Sequence, residues 1–129
     1  MPSKLEQEIQ TEVEKFQKLQ QDYNKLIVSR SQLESQLSEN RMVADEFKRM
    51  KPDSDASIFK LVGPVLVKQE TVEATSNVNK RIEFITNEIK RLDGAIAEST
   101  KTQEAAKAAI GKLQQMYQAQ MGGPAAGQA

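Results

Sequence analysis

IFKLVGPVLVKQE, residues 58–70, is the most apolar passage of a mostly polar chain of 129 residues, and Gly63-Pro64 divides it in two. Val, Ile and Phe favour strands. Glycine accepts the positive φ needed at the first corner of a tight hairpin turn, and proline fits the second. The stretch therefore predicts a β-hairpin over 57–70, with strands of about 57–62 and 65–70. One face pairs Val62 with Val65, Lys60 with Val67 and Ile58 with Gln69. The other pairs Leu61 with Leu66 and Phe59 with Lys68. Both faces are rich in apolar side chains.

The segments on either side are charged, Gln-rich and periodic. From Leu5 to Phe47 a heptad repeat holds without a break. One seam position is Ile9, Phe16, Tyr23, Arg30, Leu37 and Ala44; the other is Leu5, Glu12, Leu19, Leu26, Leu33, Asn40 and Phe47. All but Glu12, Arg30 and Asn40 are apolar or aromatic, which is the pattern of a coiled-coil face. Ser3 and Glu6 form a capping box at the start. Lys51-Pro52 and the Asp-Ser-Asp that follows end the helix, giving a first arm over 3–50.

The second arm, 71–121, carries Val78, Ile82, Ile85, Ile89, Leu92, Ile96, Ser99, Gln103, Ala106, Ile110, Leu113 and Tyr117 on one seam. Either Thr71 or Ser76 caps it. Gly122-Gly123-Pro124 ends it, leaving a flexible tail over 122–129. Two arms of similar length fold back into a long antiparallel coiled-coil hairpin. Matching the seams pairs Leu37 with Ile85, Leu33 with Ile89, Leu26 with Ile96 and Leu5 with Tyr117; a slip of half a heptad is the alternative. The polar seam residues either fix register or keep the outer half of the arms loose. Ile27 and Val28 lie off the seam and have no role in this scheme.

Composition removes most chemistry. There is no cysteine and no histidine, so no thiol nucleophile, disulfide or imidazole base exists. Eighteen Lys+Arg against eighteen Asp+Glu leave no net basic charge to attract nucleic acid or an anionic membrane. The start MPSKLEQEIQ has no signal-peptide core, and no apolar run approaches the ~20 residues of a membrane span. Gly111-Lys112 lacks the earlier glycine of a phosphate-binding loop, since position 106 is Ala106. The expectation is a cytoplasmic binding or assembly protein, not an enzyme, with no cofactor, metal, nucleic-acid or membrane partner.

A lone two-stranded ribbon is marginal in water and exposes two open edges. Two helices cover only part of one side of it, so the hairpin is expected to join strands from other chains. Taken together, the first arm with EVEKFQKLQ, the KLVGPVLVKQE hairpin and the second arm with KRIEFITNEIKR resemble a β-class prefoldin subunit over nearly the whole chain.

That resemblance implies a hetero-hexamer of two α-class and four β-class subunits, with hairpins joined into a double β-barrel and coiled coils hanging from it. It implies an ATP-independent holdase that captures unfolded actin and tubulin at the coiled-coil tips and passes them to the cytosolic group II chaperonin. By position, assembly would use Ile58, Phe59, Leu61, Val62, Gly63, Pro64, Val65, Leu66 and Val67. The client-binding tips would use Leu5, Ile9, Val13, Ile110, Leu113, Met116, Tyr117 and Met121. For Leu5, Ile9, Ile110, Leu113 and Tyr117 the alternative is that they only close the coiled coil. The rival function is a coiled-coil spacer or tether oligomerised through its hairpin.

Overall fold

A computed structural model of the chain describes residues 3–50 and 57–128, with side chains over 3–50 and 57–122. Helix α1 spans Lys4–Arg49, strand β1 Ile58–Val62, strand β2 Val65–Gln69 and helix α2 Thr71–Gln128. The residues that were expected to end the first arm, Lys51-Pro52 and Asp53 to Asp55, lie outside the described residues.

Ser3 caps α1: its carbonyl accepts the Gln7 amide at 3.0 Å and its hydroxyl accepts the Glu6 amide at 3.1 Å. The cap of α2 is neither Thr71 nor Ser76. It is Glu70, whose carbonyl accepts the Ala74 amide at 2.9 Å. Only this residue separates β2 from α2, so the cap falls on it and Thr71 becomes the first helical position. The far end differs as well. Helix α2 continues through Gly122, Gly123 and Pro124 to Gln128 instead of giving way to a tail at 122. Proline in a last turn removes at most one ladder bond, and Ala125 and Ala126 are the strongest helix formers.

The chain divides into two compact units, residues 29–92 and residues 1–28 with 93–129. In the first, Leu37, Ile85 and Ile89 form a buried cluster with Leu33 and Ile82 packed against it. Both the Leu37/Ile85 and the Leu33/Ile89 layers expected from the seams fall in this cluster. In the second, the Lys107 ammonium lies 5.9 Å from the Phe16 ring centroid, and Tyr117 meets Glu6. Within each unit, later residues of one helix meet earlier residues of the other, so the pairing is antiparallel. Every seam position of both arms is buried or half-buried. The most buried side chain, Ala74 at 3% exposure, extends the second seam one step toward the hairpin.

The polar seam residues are satisfied along their own helices. Asn40 donates to the Gln36 carbonyl at 2.7 Å, Gln103 to the Ser99 hydroxyl at 3.2 Å, and Arg30 pairs with Glu34 at 3.2 Å. Among the described residues, no helix is long and apolar enough to cross a membrane.

Candidate functional site

The hairpin has the predicted register at all five pairs: Ile58–Gln69, Phe59–Lys68, Lys60–Val67, Leu61–Leu66 and Val62–Val65. Gly63 has φ +57°, and a positive φ followed by the fixed negative φ of Pro64 is the pattern of a type II′ turn. A Cβ at Gly63 would meet nothing within 4 Å, so glycine is required there by backbone conformation and not by crowding.

The two strands pair only with each other. Phe59, Leu61, Val62, Val65, Leu66 and Val67 are between 47 and 67% exposed, and only Ile58 and Gln69 at the base are half-buried. Each strand thus carries apolar side chains on both faces and one unpaired row of backbone donors and acceptors. In water this arrangement favours further strands along those edges and apolar surface against those faces. Its chemistry is that of an adhesive edge; it offers no nucleophile, acid or base.

At the other end of the arms, the residues proposed as tips separate into two groups. Leu5 is buried at 8% exposure, and Ile9, Val13, Ile110, Leu113 and Tyr117 are half-buried on or beside the seam. Met116 and Met121 are more than half exposed. The Tyr117 phenol is held above its ordinary value, first by the nearby Glu6 carboxylate, then by desolvation and by the hydrogen bond to Glu6. Glu6 therefore serves as partner to the opposite helix as well as following the Ser3 cap.

Sequence reasoning missed two surface apolar residues near the hairpin, Val72 at 81% exposure and Phe84 at 65%. Both lie off the seam, and an aromatic residue immediately before a seam isoleucine was the available signal.

Comparison with known proteins bears on the whole chain. Residues 10–119 match the family model described as prefoldin subunit. Prefoldin subunit 6 of Mus musculus is 40% identical over 129 residues, covering 100% of both chains. Prefoldin subunit 6 of Homo sapiens is 41% identical over 118 residues, 92% of this chain and 90% of that one. The crystal structure of the prefoldin beta subunit from Thermococcus strain KS-1 superposes with a TM-score of 0.72 at 19% identity, covering 80% of this chain and 89% of that chain. That likeness matches the two long helices and the single hairpin. On the family match and the full-length relatives, the chain belongs to the prefoldin subunit family, whose members are non-enzymatic chaperone components.

Proposed function

We propose that this chain is one subunit of a cytoplasmic, hetero-hexameric, ATP-independent holdase, joined to α- and β-class prefoldin subunits through its β-hairpin. The observation that carries the assembly half is the pair of apolar strands with both edges open. The proposed assembly set is Ile58, Phe59, Leu61, Val62, Val65, Leu66 and Val67, with Gly63 and Pro64 setting the turn.

The working end is the opposite one. Unfolded actin and tubulin are held at the tips through Met116, Met121 and the half-buried residues that a parting of the helix ends uncovers: Leu5, Ile9, Val13, Ile110, Leu113 and Tyr117. Methionine suits such a surface because its flexible, polarisable side chain adapts to many partners. Several arms acting together raise the effective concentration of each weak contact, so no single arm needs to bind tightly. Release to the cytosolic group II chaperonin then requires only that these weak contacts be lost one at a time.

Deleting residues 1–10 and 112–129 tests the two halves separately. The truncated chain is expected to co-assemble with an α-class subunit, as read by native mass, and to lose suppression of the aggregation of unfolded actin. Suppression at full strength by the truncated assembly would overturn the tip reading and favour a spacer. A chain that stays monomeric with an α-class subunit present would overturn the assembly reading.

A further inference from the structure

Unit 29–92 carries a second helical stripe that the coiled-coil seam does not use. Asn77, Lys80, Arg81 and Phe84 recur at the i, i+3, i+4, i+7 spacing of one helix face, beside the seam residues Val78, Ile82 and Ile85. Three of the four, Asn77, Lys80 and Arg81, line a groove that reaches the hairpin base at Phe59 and Lys60 and has Val43 on its α1 side. Phe84 stands one turn further along, 65% exposed.

The charge of this groove is one-sided. No described carboxylate lines it, and Lys60, Lys80 and Arg81 all do. Elsewhere the helices pair their arginines locally: Arg91 is gripped by Glu88 at 3.0 Å, Arg49 by Glu46 at 3.3 Å and Arg30 by Glu34 at 3.2 Å. Among the described residues, neither Lys80 nor Arg81 meets a carboxylate within ion-pair distance. The helix neighbours of Arg81 one turn away, Asn77, Val78, Phe84 and Ile85, supply none. An exposed aromatic ring beside a free arginine, over an apolar floor, is the composition of interface anchors.

The same unit shows what would fit. The first turn of α2 places Val72, 81% exposed, between the exposed carboxylates of Glu70 and Glu73. Such a turn is acidic at its rim and apolar at its centre. A fold that presents a basic–apolar groove and an acidic–apolar turn at different places suits head-to-tail contacts between neighbours.

We propose that the groove bounded by Phe59, Lys80, Arg81 and Phe84 is a second assembly surface, which receives the acidic first turn of the post-hairpin helix of a neighbouring prefoldin subunit. This rests on the reading of the hairpin as an assembly element. It adds the contact that sets which neighbour sits on which side.

The test is a full-length chain carrying Phe84→benzoylphenylalanine, co-assembled with the other prefoldin subunits and irradiated. The expected product is an intersubunit cross-link to the acidic turn that follows a neighbour's hairpin. In parallel, Lys80→Glu with Arg81→Glu is expected to weaken co-assembly by about tenfold or more with helix content unchanged, because like charges facing each other are strongly disfavoured. Cross-links confined to the same chain, to a client or to another part of the neighbour overturn the proposal. A complex of full mass with no such cross-link overturns this surface alone, whereas failure of the wild-type subunits to form any complex overturns the hairpin reading with it.

Discussion

Gly63 sets the hairpin through a single dihedral angle. Its φ of +57° costs an L-residue about 1–2 kcal/mol, and the open space around it offers no compensating contact. Gly63→Ala is therefore expected to speed amide exchange in β1 and β2 several-fold to about thirtyfold, whereas D-alanine at the same position leaves exchange unchanged or slower. Tyr117 offers a second single-residue test. Its folded phenol is raised by Glu6, so the stability this adds is complete below the unfolded pKa of about 10 and is lost as pH rises through the higher folded value. In a Tyr23→Phe background, ultraviolet titration should report a phenol that ionises above 10 and moves down in Glu6→Gln. An unmoved titration would break the Glu6–Tyr117 contact as described. Gly63 was readable because the Gly-Pro pair between β-branched runs admits few turns. The Glu6–Tyr117 contact was not, because it joins residues at opposite ends of the chain whose side chains both lie at the margin of the seam.

For the elements, burial along the arms is uneven. Leu37, Ile85, Ile89 and Leu92 are buried, while Leu19, Leu26 and Ile96 on the same seams are only half-buried. Leu37→Ala is accordingly expected to cost about 2–5 kcal/mol in urea unfolding, and Leu26→Ala clearly less. Equal losses would mean that the two units are packed alike. The Ser99 and Gln103 pair predicts the reverse sign. Their hydrogen bond runs along α2, so replacing both with leucine forfeits one exposed-side bond and gains apolar seam. The double variant should melt higher; a lower melting temperature would show that the pair specifies the partner helix. Both seams and all five strand pairs were legible because periods of 3.5 and 2 are imposed by packing itself. The helix ends were less so. Glu70 caps α2 through its main chain, which no side-chain signature announces, and the end of α2 at Gln128 overrides the local preference of Gly122, Gly123 and Pro124. Phe84 escaped notice for a different reason: one-dimensional periodicity finds the dominant stripe and ignores a second one beside it.

At the scale of the whole molecule, the helices bury their seams within the chain and the hairpin buries almost nothing. Folding of the arms and completion of the hairpin are thus separable events. Leu61→Lys with Leu66→Glu keeps a cross-strand pair of opposite charge, so the helical signal should be unchanged while co-assembly with an α-class subunit is lost. Retained co-assembly would place the joining surface elsewhere. The two open strand edges also bear on how much of this chain a cell can safely make. A copy without partners displays apolar edges that any other copy, or any unfolded segment, can extend. Synthesis in excess of the other subunits would convert a component of the folding machinery into a seed for aggregation, so its abundance must be matched to theirs, by balanced production or by removal of orphans.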